Sequence, residues 1–356
     1  MTGSLIFRAG NKAFVRIRKE GLSENMVNVI AGAAGGPKYL VLTGLDRFIF
    51  SSWLTSRKKP LFLLGSSIGA WRFAAASQNN PLEALKCFET HYIRQRYSDR
   101  PSALDITCKS REILDSFLTA EAVRDVLKHP YLRLSILAVR SKWPLTSDNK
   151  LLLLPGIAVS ALGNLLCRRF LGFFFERVLF YDPRDLPPFF DISDFPTRKV
   201  PLAPENFKAV VMASGSIPIV MQSVKIPGDS EGVYRDGGII DYHIDIPYLQ
   251  EKSREKIILY PHYGKKIIPG WFDKKLIWRK PLNMENVLLL HPSDNFISKL
   301  PYGKIPERND FYLFKGKDRE RITYWRNVVD RSRFLAEDFI ETIERGNIAD
   351  LVAPLD

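Results

Sequence analysis

The chain has 356 residues, 46% of them hydrophobic and 26% charged, an ordinary globular balance that excludes a mostly disordered protein. Its 52 Lys and Arg against 39 Asp and Glu leave a net charge of +13, which favours an anionic partner (nucleic acid, an acidic protein or a lipid surface) without choosing among them. Cys87, Cys108 and Cys167 are odd in number and lack CxxC spacing, so neither a disulfide framework nor a zinc site is indicated, and a reducing compartment fits.

In chain order, residues 1–14 mix Arg8 and Lys12 with short apolar pieces and have no long apolar core of a secretory signal, so they read as a cytoplasmic start. Short apolar runs bounded by turn residues predict buried strands at 27–31, 61–64, 132–139, 208–212, 257–260 and 287–290. Amphipathic stretches at 37–50, 68–77, 82–95 and 111–127 predict helices between them. Strands alternating with helices imply an α/β fold with a mostly parallel sheet covered on both faces.

The uncharged run 151–167 is 17 residues long and is interrupted by Pro155, Gly156, Gly163 and Asn164. It stands at the lower limit for crossing a bilayer and reads as buried or interfacial. With Phe170, Phe173, Phe174 and Phe175 beside Arg168 and Arg169, this region fits an apolar cap or acyl-pocket wall, and fits a core helix almost as well. Residues 182–204 carry Pro183, Pro187, Pro188, Pro196, Pro201 and Pro204 and predict an irregular connection. We expect one domain over 1–356, with 140–206 as an insertion or cap and 251–356 as a C-terminal extension.

Within 251–280, nine Lys and Arg face three acidic residues, interleaved with Tyr260, Tyr263, Trp271, Phe272 and Trp278. This pattern suits a peripheral enzyme docking on an anionic membrane, and equally a solvated face. A helix is expected over 318–344, with Gly346 as its stop.

Three motifs carry chemistry. The run 61–64 enters Gly65-Ser66-Ser67-Ile68-Gly69 and then a helical stretch, the strand, tight turn and helix in which G-x-S-x-G presents a nucleophilic serine. Ser67 is centred between the glycines; the neighbouring Ser66 is assigned a turn role. Upstream, 27–31 leads into Gly32-Ala33-Ala34-Gly35-Gly36-Pro37-Lys38-Tyr39. Acyl transfer needs fixed backbone donors near the attacked carbonyl. Pro37 has no N–H to give, so Gly35 and Gly36 are the candidate oxyanion donors, with Lys38 as a loop anchor or a contact for an anionic head group. The loop matches neither the phosphate-binding nor the dinucleotide glycine pattern. The third motif is Asp236-Gly237-Gly238, preceded by Ala213-Ser214-Gly215-Ser216-Ile217-Pro218.

A glycine-rich loop with a basic residue, then G-x-S-x-G, then A-S-x-x-I-P and D-G-G, in that order, resembles the patatin-like phospholipases. The resemblance spans residues 27–238, and departs from the family pattern at Ala34, at Tyr39 and in the residues after Gly238. It implies a three-layer α/β/α sandwich and a lipid acyl hydrolase of phospholipase A or lysophospholipase type. It also implies a Ser67–Asp236 dyad, an oxyanion hole at Gly35 and Gly36, and Lys38 at the basic loop position, with no metal or cofactor. The expected substrate is a phospholipid or other acyl-ester lipid, and the expected location is cytoplasmic, peripheral to a membrane surface.

Two other readings remain open. His243, His262 and His291 follow Asp236, and one of them would complete the Ser, Asp, His order of an α/β-hydrolase triad. A non-catalytic basic lipid- or nucleic-acid-binding protein would also account for the charge, although no nucleic-acid module accompanies it.

Overall fold

Runs that are apolar at every position, rather than at alternate ones, belong to strands covered on both faces. Three of them make the middle of the sheet: β3 (Leu61–Ser66) is buried throughout, and β2 (Val27–Gly32) and β4 (Leu132–Ser141) are buried at all but one position each. The structure, a computed structural model, describes residues 3–250 and 255–355. The first two residues of the N-terminal stretch, the first four of the basic 251–280 stretch and the last residue of the C-terminal extension lie outside it. The remaining strands are β1 (Leu5–Ala9), β5 (Phe175–Tyr181), β6 (Thr197–Pro201), β7 (Val224–Ile226), β8 (Asp229–Asp236), β9 (Ile257–Pro261), β10 (Val287–Pro292) and β11 (Ala353–Pro354).

Among the described residues these form one sheet of 11 strands in the order β11-β1-β10-β9-β2-β3-β4-β5-β6, with the β7–β8 hairpin joined through β4. The five central strands from β10 to β4 are mutually parallel, as the helical crossovers between most of them require. Antiparallel pairs lie further out, at β1–β10, β4–β5, β4–β8 and β7–β8. The sheet is thus mixed, mostly parallel and flanked by helices, and most of its buried apolar side chains form one core.

Five of the six predicted strands are strands. The sixth, 208–212, lies inside helix Pro204–Ser214. A five-residue apolar run has no period of its own to tell strand from helix, and here Pro204 at the first turn and Asn206, whose Oδ1 accepts from the Ala203 N–H at 3.0 Å, start a helix. The predicted 37–50 helix is a 3₁₀ segment Gly36–Leu42, an α-helix Thr43–Phe48 and a widened turn Ile49–Trp53. The 111–127 stretch belongs to two helices, Ala103–Phe117 and Ala120–Lys128, the second capped by the Thr119 hydroxyl. The 318–344 stretch is likewise Asp318–Arg331 and Arg333–Arg345, separated at Ser332, whose Oγ accepts from the Gly44 N–H at 2.9 Å. Gly346 ends the last of these in the left-handed region. The proline-rich connection is not wholly irregular, because β6 pairs within it against β5; as an edge strand it tolerates Pro201.

Candidate active site

The geometry of the site follows from the unequal lengths of three strands. Residues 132–137 of β4 pair with β3, which ends with Ser66 opposite Leu137. Beyond that point the same edge of β4 is taken up by β8, running the other way, with Asp236 opposite Ala138; the opposite edge is filled by β5. The carboxyl ends of β3 and β8 therefore meet head to head. Ser67 Oγ donates to Asp236 Oδ2 at 2.7 Å, across a separation of 169 residues in sequence.

At the end of β3 the chain turns through Ser67, at φ 54° and ψ −126°, into helix Ile68–Ala76. A positive φ is costly for a residue with a side chain and persists only where the surroundings enforce it. Two features enforce it here. A Cβ on Gly69 would stand 2.0 Å from the Gly32 carbonyl oxygen, so the helix start and the end of β2 touch at a distance only glycine permits. The Ser67 N–H donates to Ser214 Oγ at 2.9 Å, and Ser214 Oγ donates to the Leu137 carbonyl at 2.6 Å. Ser214, fully buried, ties the turn to β4.

Asp236 is buried, and its other oxygen, Oδ1, accepts from the Gly238 N–H at 2.7 Å. Burial pushes its carboxyl above the usual aspartate value. The Arg308 charge, the Ser67 and Gly238 hydrogen bonds and the Lys274 charge oppose that rise. The result is a carboxylate with raised proton affinity in contact with a hydroxyl, the arrangement that proton abstraction from Ser67 needs.

Gly35 and Gly36 hold φ of 148° and 57°, conformations open to glycine and strained for other residues. Gly35 lies against the Tyr263 ring, 2.6 Å from where its Cβ would be, and Tyr263 donates its hydroxyl to the Ala34 carbonyl at 2.8 Å. Gly36 opens a helical segment, where N–H groups have no intrahelical acceptor. Lys38 places its ammonium 5.1 Å from the Tyr263 ring centroid; burial and the Arg308 charge lower its pKa, and the Glu307 charge opposes them. Tyr39 points away into the core, stacked 5.1 Å from Phe88 and edge-on to Tyr92.

Two cavities open on Ser67. The smaller, about 170 Å³, holds Asp236, Gly35, Lys38, Lys274, Trp271 and Arg308. The larger, about 840 Å³, is a cleft of mixed lining, with Ile68, Trp71, Ile106, Val220, Met221 and Phe311 on apolar walls and Arg96, Arg100, Lys150, Lys315, Lys317 and Arg319 among its charged ones. Ser67, Ile217 and Arg308 belong to both. The serine thus stands between a small cationic pocket and a larger cleft with both apolar and cationic walls, whose volume lies within the roughly 300–1,000 Å³ range of small-molecule sites.

The histidines are elsewhere. His243 Nδ1 accepts from the Ile268 N–H at 2.9 Å, which leaves Nε2 to donate to the Tyr263 oxygen at 2.6 Å. Burial, then the neighbouring His262, holds His243 well below the usual histidine value, and burial takes His262 down to about 3. His291 Nδ1 lies 2.9 Å from the Pro292 carbonyl. None of the three lines either cavity.

Sequence reasoning missed Ser214, Tyr263, Lys274 and Arg308 as parts of this site. Ser214 sits in the 213–218 segment that matched the motif order, and Lys274 and Tyr263 in the basic aromatic stretch, so their neighbourhoods were visible. Arg308 stands between two short helices with no pattern around it.

No family model matches the sequence, and no curated protein matches it. Among solved structures, human GIVD cytosolic phospholipase A2 is similar with a TM-score of 0.42 and 10% identity, over 99% of this chain and 66% of that one. VipD from Legionella pneumophila is similar with a TM-score of 0.36 and 11% identity, over 94% of this chain and 70% of that one. This chain therefore spans about two thirds of the first of these structures.

Proposed function

We propose that this chain is a serine acyl hydrolase acting on lipid esters, of phospholipase A or lysophospholipase type. The observation that carries the reading is the Ser67 hydroxyl in a strained turn, 2.7 Å from a buried carboxylate, where a small cationic pocket meets a larger cleft with apolar walls. The motif order shared with patatin-like phospholipases supports it.

In this mechanism Asp236 takes the Ser67 proton as Oγ attacks the ester carbonyl. The oxyanion is met by the Gly35 and Gly36 N–H groups. Collapse of the tetrahedral intermediate breaks the carbon–oxygen bond to the leaving alcohol, which receives the proton from Asp236, and leaves an acyl-Ser67 ester. Asp236 then takes a proton from water as it attacks that ester; the fatty acid departs, and the proton returns to Ser67. The acyl chain lies along the apolar wall of the larger cleft, and an anionic head group faces Lys38, Lys274 and Arg308. Residues of one chain supply each step.

A fluorophosphonate probe should label the wild-type chain at Ser67 and leave Ser67→Ala unlabelled, and fatty acid should be released from mixed phospholipid vesicles only by the former. Labelling that survives Ser67→Ala, or fatty-acid release that His243→Ala, His262→Ala or His291→Ala stops as completely as the serine change does, would overturn the dyad.

A further inference from the structure

Helix Lys150–Leu166 is built inside out. Its buried positions are Leu153, Gly156, Ser160 and Asn164, a narrow stripe at helical spacing in which only Leu153 is a large apolar residue. Ser160 Oγ turns back to the Gly156 carbonyl at 2.8 Å, and Asn164 Nδ2 donates to Asp273 Oδ1 at 2.8 Å. The other leucines face outward: Leu151, Leu162 and Leu166 are 82%, 63% and 80% exposed. A helix lying between a protein body and water shows the reverse arrangement.

The exposure is concentrated. Of 22 exposed large hydrophobic side chains among the described residues, 13 fall within 143–173 and 277–282. These segments are neighbours, because the Arg279 guanidinium donates to the Asn164 side-chain and main-chain oxygens at 3.1 and 3.0 Å, which sets Ile277 and Trp278 beside the helix. An apolar surface of this kind marks an interaction site. Its charge narrows the occupant: residues 143–173 and 274–284 contain seven Lys and Arg against one acidic residue, Asp148, with Arg168 and Arg279 partnered by the buried Asp273. Outward leucines with tryptophan and a predominantly cationic border complement an acyl layer under anionic head groups. No helix among the described residues is long and apolar enough to cross a membrane, so the contact is in the plane of the surface. The same two segments reach the site, Lys150 at the larger cleft and Lys274 at the smaller pocket.

We propose that this face docks on an anionic lipid bilayer, with helix Lys150–Leu166 lying flat in the head-group region and Ile277 and Trp278 inserted beside it. The choice of lipid as occupant rests on the lipid-hydrolase reading, but its test does not require turnover. The full chain carrying Ser67→Ala is floated with vesicles of phosphatidylcholine alone or with phosphatidylserine. The expected result is binding to the mixed vesicles, weakened by high salt and by omission of phosphatidylserine. Leu162→Asp with Leu166→Asp should lower the partition coefficient at least about tenfold. Lys275→Ala with Lys280→Ala should lower it by up to about 30-fold on the mixed vesicles, at roughly fivefold per charge.

Two results would overturn the docking face: mixed vesicles that leave the chain unbound, or a double aspartate variant that binds as the parent does. A chain that sediments as a dimer, and becomes monomeric with the two aspartates, would assign the face to a second copy and overturn it equally. Fold is monitored by cleavage of a soluble short-chain ester, which the aspartate pair, introduced into the chain that retains Ser67, should leave unchanged. Vesicle binding by a wild-type chain that cleaves no ester would support the docking face while refuting the hydrolase reading.

Discussion

Helices Ile68–Ala76 and Lys150–Leu166 have similar apolar character and opposite environments. All nine residues of the first are buried, including Arg72, whose guanidinium is held by Asp46 in two hydrogen bonds of 2.8 and 2.6 Å. The second buries four positions of seventeen and turns its leucines outward. Composition states that each helix needs a dry neighbour; in the first helix that neighbour is the sheet and its covering layer, and in the second the chain provides none. Both helices reach the larger cleft, one following directly on Ser67 and the other presenting the proposed docking face.

The largest effects should separate the two helices. Ser67→Ala and Asp236→Asn are each expected to lower turnover of a lipid ester at least about 10⁴-fold, whereas Leu162→Ala should leave hydrolysis of a soluble ester unchanged; steady-state rates on both substrates decide this. Next is stability. Arg72→Met strands the buried Asp46 carboxylate and should cost about 3–5 kcal/mol, against less than about 0.5 kcal/mol for Leu162→Ala on the outward helix, read by denaturant unfolding. Equal losses would mean that the outward helix is packed in solution.

The acid–base behaviour sharpens the site further. In the proposed mechanism Asp236 serves as a base only when ionised, so kcat should fall as pH drops through a value above the ordinary aspartate range of about 4. Lys274 is lowered to about 8 by burial, with Arg308 and Lys38 adding to the effect. With an anionic substrate, kcat/KM should therefore decline above about pH 8, and Lys274→Met should remove that alkaline limb together with about tenfold of the rate. A neutral short-chain ester should show the acid limb alone.

The smallest effect concerns stability at Asp236. A carboxyl whose folded-state pKa is raised keeps its proton to higher pH than in the unfolded chain, so stability falls as pH rises from the ordinary aspartate value through the folded one. At neutral pH the buried charge is a net cost. Asp236→Asn should raise Tm at pH 7 and give no gain at pH 3, as thermal unfolding at the two pH values would show.

Much of the frame was legible in the residues. Five buried strands announced themselves as apolar runs between turn residues, and Gly65-Ser66-Ser67-Ile68-Gly69 marked the strained turn because only small residues allow a strand and a helix to close so tightly. The 208–212 run was misread because five apolar residues fit a buried strand and a buried helix alike. The 111–127 and 318–344 stretches were read as single helices because their periodicity runs on through Thr119 and Ser332, where a cap and a docking contact divide them.

What the order of amino acids determined by itself was local: which segments must be covered, where the backbone must turn, and which hydroxyl is presented at a helix start. Only the folded chain decided that β8 takes over the edge of β4 where β3 leaves it, bringing Ser67 to Asp236, and that Arg308 and Lys274 come to the same pocket. Those outcomes depend on hydrogen-bond register between strands and on packing of elements more than a hundred residues apart in places, which no local spacing encodes. The outward turn of helix Lys150–Leu166 is of the same kind: its buried stripe is the one that meets Asp273 and Arg279 at Asn164 and Leu145 at Gly156, where a Cβ would stand 2.5 Å from the leucine side chain, not the one its leucines would choose.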